Sequence, residues 1–153
     1  MASRGDQQVI TNRKARHDYT VLNSYEAGIM LEGAEVKSLR DGKGNLQDSF
    51  AMLQDSEIFL YGMHILPYAY ARGELDPVRK RKLLLNRKEI IEISRALEER
   101  GMTLIPLRVY FVNGRAKVEI AVCKSKRQYD KRQALKKRDA QREAERALKG
   151  YRD

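Results

Sequence analysis

Charge is segregated along this chain, and the segregation decides where a core is able to form. Residues 124–153 hold twelve Lys or Arg against five Asp or Glu, which is +7 of a net charge of +10. Their larger apolar side chains are only Leu135, Leu148 and two tyrosines. The first eighteen residues carry +2, and the 105 residues between are nearly neutral at +1. The core must therefore lie between Tyr19 and Val122, and a body of that length is able to bury one. Three parts are predicted: a basic N-terminal arm over 1–18, one globular domain over 19–123, and a basic tail over 124–153. Such a tail suits a polyanion, because each Lys or Arg set against a phosphate releases a condensed counterion. Nucleic acid is the leading partner on charge alone.

Several classes of function are disfavoured by what the residues lack. The opening MASRGDQQVI holds no apolar run of the signal-peptide kind, and no later segment approaches the ~20 apolar residues that span a bilayer. Cys123 stands alone, so neither a disulfide framework nor a cysteine zinc site is expected. A soluble, reducing, cytoplasmic setting fits. His17 and His64 lack the i, i+4 spacing of paired metal ligands. No pair of carboxylates comes with a supporting His or Cys, which argues against a hydrolase. Gly42-Lys43-Gly44 lacks the full glycine spacing of a phosphate loop and reads as a turn. With no Trp and three Phe, composition argues against a large aromatic base-stacking platform, although eight Tyr can supply isolated contacts.

The body alternates in strand fashion. Residues 18–31 form one such run around Gly28, and an interior glycine marks a bulge or a close approach by another group. Residues 34–40 (AEVKSLR) suit a short helix. Residues 49–53 and 58–65 form a strand pair across Gln54-Asp55-Ser56-Glu57. Asn86 followed by Glu89 predicts a capped helix carrying Ile90, Ile93 and Leu97 on one face, with Gly101 as its left-handed stop. Residues 103–111 and 116–122 read as a hairpin through Asn113-Gly114, with Pro106 at an edge or bulge. Short strands with two helices predict a small, mostly antiparallel barrel. The tail over 134–148 has helix formers but little apolar content, so it is expected to be disordered when free and helical on a partner.

Arg79, Lys80, Arg81 and Lys82 form a run of four cations before Leu83. They are either phosphate contacts or a solvated loop feeding a buried strand. Lys117 falls on a polar face opposite Ala116 and Val118, as a merely exposed strand lysine or one with a functional role. Glu26, before Gly28, is on its own terms an edge charge that blocks strand addition.

Taken together, the blocks NRKARHDY (12–19), EAGIMLEGAEVKSLRDGKGNLQDSFA, DPVRKRKLLLNRKEI, GMTLIPLRVYFVNGRAKVEIAVCK and YDKR strongly resemble the SsrA-binding protein family, also called small protein B. The likeness runs in unbroken order from about Asn12 to Arg132. It implies an oligonucleotide-binding-type antiparallel β-barrel with a few helices, no enzymatic activity and no cofactor. It also implies binding to the tRNA-like domain of transfer-messenger RNA, with elongation factor Tu and alanyl-tRNA synthetase engaged through that RNA. The tail of the family enters the decoding centre and empty messenger channel of a stalled ribosome, which leads to peptide tagging. A monomer is expected. Carried over by residue, the resemblance makes Glu26, Leu84, Asn86 and Lys117 RNA-binding positions and sets His17 beside the tRNA-like fold. Tyr129, Asp130, Lys131 and Arg132 match the ribosome-engaging tail motif. Ser125 departs from the pattern, standing where the family typically has Gly.

Overall fold

A computed structural model of the chain describes residues 7–67 and 76–126, with side chains from residue 10 onward. Within these residues the chain is mainly β. In order come β1 (Gln7–Thr11), α1 (Arg13–Asp18), β2 (Tyr19–Ile29), α2 (Gly33–Arg40), β3 (Gly44–Asn45), β4 (Phe50–Gln54), β5 (Glu57–Tyr61), β6 (His64–Ile65), β7 (Arg81–Leu84), α3 (Arg87–Glu98), β8 (Met102–Val112) and β9 (Arg115–Ser125). The main sheet runs β1-β8-β4-β5-β7-β2-β9, and β9 pairs back onto β8. Six strands therefore close into an antiparallel barrel, with β1 added beside β8; β3 and β6 form a separate two-stranded ribbon.

Local chemistry sets the corners. Asp55 and Ser56 (φ 51° and 63°) join β4 to β5, and Asn113 and Gly114 (φ 51° and 75°) join β8 to β9. Two successive positive φ angles make the turn whose twist matches that of a hairpin. The expected strand over 58–65 breaks at Gly62. Its φ is +76°, and a Cβ there would lie 3.2 Å from the Asp48 carbonyl oxygen, so the chain leaves β5 and re-forms as β6. Asn86 caps α3 as predicted: its side chain accepts from the Glu89 amide at 2.9 Å, while Glu89 accepts from the Asn86 amide. Ile93 is wholly buried, with Ile90 and Leu97 packed around it. Gly101 has the expected positive φ, +86°, two residues beyond the C-cap Glu99.

The barrel interior takes alternate residues: Ala27 and Ile29 from β2, Ile58 and Leu60 from β5, Leu83 from β7, and Val118, Ile120 and Val122 from β9. A second apolar cluster lies outside the barrel wall, where Ala15 of α1 packs with Ile105, Leu107, Ala121 and Cys123. This changes the expected division of the chain. Residues 7–18 are not a separate arm, because β1 pairs with β8 and α1 covers part of the wall. Buried Asn12 joins the two parts. Its Oδ1 accepts from the Ala15 amide, and its Nδ2 donates to the carbonyls of Pro106 (2.9 Å) and Leu46 (3.3 Å). At the other boundary β9 continues through Ser125, beyond the expected end at residue 123.

Pro106 behaves as its lack of an N–H dictates. The β8–β9 register slips between Pro106 and Arg108, leaving Leu107 as the extra residue of a bulge. The slip reverses the parity of β8. Ile105 and Leu107 face outward under α1, Val109 and Phe111 turn into the core, and Arg108 and Tyr110 emerge on the outer face.

Candidate nucleic-acid interface

Strand register assembles residues far apart in sequence into two rows on the outer wall. Leu84 of β7 pairs with Gly28 of β2, Gly28 with Lys117 of β9, and Lys117 with Tyr110 of β8. In the neighbouring row Glu26 faces Glu119, and Glu119 faces Arg108. Three positions carried over from the resemblance, Glu26, Leu84 and Lys117, thus share one surface. Gly28 sits at its centre for a steric reason. A Cβ there would stand 3.3 Å from the Leu84 Cβ, so the close approach expected of this glycine is made by Leu84. Leu84 itself is 50% exposed.

Directly opposed carboxylates repel, and the Glu26–Glu119 pair is relieved unevenly. Glu119 takes two cations, Arg108 at 3.5 Å and Arg16 at 3.8 Å. Glu26 instead accepts the Tyr110 hydroxyl at 2.5 Å and has no ion pair among the described residues. Tyr110 is 8% exposed, and the Arg108 guanidinium lies 4.3 Å over its ring centroid. Burial first, and then the bond to Glu26, push the Tyr110 phenol well above its ordinary range, so it stays a donor at any working pH. Lys117 is half-buried and has no ion pair among the described residues.

Asn86 is exposed next to this surface, just past β7, with its Oδ1 committed to the α3 cap. His17 lies at the end of α1, its side chain 87% exposed and its Nδ1 3.0 Å from Asp18. From that helix it is Arg16 that reaches the two rows, through Glu119.

The four-cation run divides by parity. The expectation that Arg81 faces phosphate is corrected: it is fully buried, donating to Glu35, to the Met63 carbonyl (2.7 Å) and to the Pro77 carbonyl (3.0 Å). Arg79 is drawn to the same Glu35 carboxylate and to the Met30 carbonyl. Burial alone would raise the Glu35 carboxyl, but hydrogen bonds from Arg79, from the Glu32 amide and from Arg81 outweigh it and hold it below its ordinary value. Burial lowers Arg81, and Glu35 opposes that shift; a guanidinium remains charged regardless. Lys80 and Lys82 do face outward. Lys82 pairs with Glu57 at 2.8 Å, and the Lys80 ammonium sits 4.4 Å over the Phe59 ring and 3.2 Å from Gln54.

Composition argued against an aromatic surface, yet the β4–β5 hairpin gathers three rings on one side. Phe50 and Tyr61 stack at 5.5 Å with 12° between planes, and Phe59 lies beside them under Lys80. Counting residues had no way to show this clustering. Tyr110, Arg108, Glu119 and Arg16 were likewise missed; placing the bulge at Pro106 and counting alternate residues from it exposes the first two. Of Gly42-Lys43-Gly44, Gly42 lies in the expected turn after α2, while Gly44 already begins β3. No group of three or more potential metal ligands occurs among the described residues. Tyr129, Asp130, Lys131 and Arg132 lie outside the described residues.

Comparison with known proteins identifies the family of the chain as a whole. The family model described as SmpB protein matches residues 9–150. The SsrA-binding protein of Sulfurihydrogenibium sp. (strain YO3AOP1) is 54% identical over 146 residues, covering 95% of this chain and 96% of that one. The SsrA-binding protein of Desulforudis audaxviator is 52% identical over 151 residues, covering 98% and 99%. A solved chain described as "tmRNA-SmpB: a journey to the center of the bacterial ribosome" superposes with a TM-score of 0.66 at 47% identity, over 77% of this chain and 84% of that one. With a family model over nearly its whole length and relatives above 50% identity, the chain belongs to the SmpB, or SsrA-binding, protein family.

Proposed function

We propose that this protein binds transfer-messenger RNA on the wall formed by β7, β2, β9 and β8 and delivers it to stalled ribosomes for trans-translation. The observation that carries the reading is the row Leu84–Gly28–Lys117–Tyr110 with Glu26 beside it, on a chain of this family. Folded RNA offers 2′-hydroxyls and phosphates more readily than base edges, so a shaped wall with a few placed charges suits it. Glu26, Leu84, Asn86 and Lys117 form the contact surface, Arg16 and His17 border it, and Lys80 and Lys82 extend it toward β5. The reading needs no catalysis, metal or cofactor. It places the protein in the cytoplasm as a monomer, with elongation factor Tu and alanyl-tRNA synthetase engaged only through the RNA.

The tail from residue 127 onward, with Tyr129, Asp130, Lys131 and Arg132 at its start, enters the decoding centre and the vacant messenger channel. Twelve cations over 124–153 suit a passage walled by phosphates, and messenger RNA in that passage excludes the tail by volume. The direct test is a gel shift at physiological salt comparing transfer-messenger RNA with bulk transfer RNA. A clear preference for the former is expected; equal binding to both, or to unstructured oligonucleotides, defeats the reading.

A further inference from the structure

A carboxylate is an odd group to present to RNA, since it repels every phosphate near it. Glu26 is nevertheless exposed on the proposed RNA-binding wall, and its surroundings say what it is suited to accept. Of the two opposed carboxylates, only Glu119 is neutralised by arginines, at 3.5 and 3.8 Å. Glu26 is held by a neutral donor, the Tyr110 hydroxyl on Oε2 at 2.5 Å. Tyr110 reaches that position only because the bulge after Pro106 reverses the parity of β8 and packing then buries its ring. The carboxylate is thereby fixed in orientation with its charge kept. Its other oxygen, Oε1, has no hydrogen-bond partner among the described residues.

One oxygen already engaged disfavours the two-pronged grip that a guanine edge makes on a carboxylate, which uses both oxygens side by side. A single donor fits better, and the single donor that RNA repeats at every nucleotide is the ribose 2′-hydroxyl. Lys117 supplies the complement. It lies between Gly28 and Tyr110, diagonal to Glu26 across the β2–β9 ladder, at the ~7–8 Å expected of diagonal strand neighbours. We propose that Tyr110 is a positioning residue for Glu26, and that Glu26 and Lys117 together grip one ribose-phosphate unit of RNA. Glu26 Oε1 accepts its 2′-hydroxyl and the Lys117 ammonium meets the adjoining phosphate. Gly28 leaves the wall open at that point, where a side chain would otherwise stand between Leu84 and Lys117.

This inference rests on the RNA-binding reading above, and the experiment separates the two. The probe is the tRNA-like portion of transfer-messenger RNA, all-ribo or with single 2′-deoxy substitutions placed in turn, titrated against wild type, Tyr110→Phe, Glu26→Ala, the double variant and Lys117→Ala. Wild type is expected to lose about tenfold to a hundredfold in affinity at one deoxy position, in line with one hydrogen bond to a charged group. Tyr110→Phe and Glu26→Ala each weaken all-ribo binding by a similar factor and no longer register the deoxy substitution there. The double variant is no worse than Glu26→Ala alone, the non-additivity of groups acting as one unit. Lys117→Ala keeps the deoxy penalty while its salt slope falls by about one phosphate contact. Tyr110→Phe that melts like wild type yet still registers the deoxy position overturns the positioning role. A Glu26→Ala variant, which removes both acceptor oxygens, that still registers it overturns the 2′-hydroxyl assignment. Should Tyr110→Phe melt early, the exposed Glu26→Ala alone decides the assignment. Wild type that fails to bind the all-ribo probe overturns the proposed function as well.

Discussion

Removing the Glu35 carboxylate strikes a buried charge that two arginines and a backbone amide share. Its side chain is 5% exposed, and it is the shared acceptor for Arg79 and for Arg81, whose side chain is 0% exposed. Glu35→Ala leaves the Arg81 guanidinium buried without a counter-charge, and breaking one partner out of a buried pair costs about 3–5 kcal/mol. Glu35→Gln keeps the size and one carbonyl acceptor but not the charge, and its loss is about 1.5–3 kcal/mol, the range for a hydrogen bond to a charged group. Urea denaturation at pH 7 is the assay. With a slope of about 2 kcal/mol/M, the Ala variant moves the midpoint down by about 2 M, a large part of the ~5–15 kcal/mol a domain possesses. The pH dependence adds an independent check. The Glu35 carboxyl is held below its ordinary value in the fold, so its stabilisation is fully present above the unfolded-state value and is lost as pH falls through the folded one. Wild type should lose this contribution on acidification, and the Gln variant should lack that part of the acid limb. A Glu35→Ala midpoint within 0.3 M (roughly) of wild type would falsify the view that Glu35 is what makes burial of Arg81 tolerable.

Three further outcomes follow from the geometry. Lys117→Ala should weaken binding to transfer-messenger RNA and reduce the slope of log affinity against log salt by about one phosphate contact; an unchanged slope removes Lys117 from the phosphates. Truncation after Lys126 should leave RNA binding intact and abolish peptide tagging in a translation assay, whereas truncation after Val122 also strips Cys123–Ser125 from their pairing with β2 and lowers the melting temperature; equal melting of the two truncations contradicts this. Asn12→Ala loses a helix cap and two side-chain bonds to carbonyls at once, a loss of about 2–4 kcal/mol in urea titration, and a loss under ~1 kcal/mol would mean that the β1–β8 ladder and packing hold β1 and α1 without help from the Asn12 side chain.

Sequence reasoning works best here where the deciding contacts are local. The Asn86–Glu89 capping box and the Asn113-Gly114 turn each involve residues within a few positions of one another, and both form as read. The two termini of the body were harder. Residues 7–18 look like a charged arm, since their net charge says nothing of Asn12 reaching Pro106, 94 positions away. The strand expected over 58–65 stops early because Gly62 answers to Asp48, in the turn between β3 and β4.

By itself the sequence determined the segregation of charge, the confinement of the core to the middle of the chain, the corners of the hairpins and the family. All of these follow from composition, from short-range backbone preferences or from ordered motifs. Tertiary structure alone decided which groups face outward. Arg79 to Lys82 read as four equal cations, yet Arg81 turns inward because Glu35, 46 positions away, waits there with an acceptor. Tyr110 would face the core in an unbroken strand, and one extra residue at Leu107 sends it out to meet Glu26, 84 positions away. Strand period fixes only which residues share a side; bulges and register choose which side meets the solvent, and they are set by partners distant in the chain.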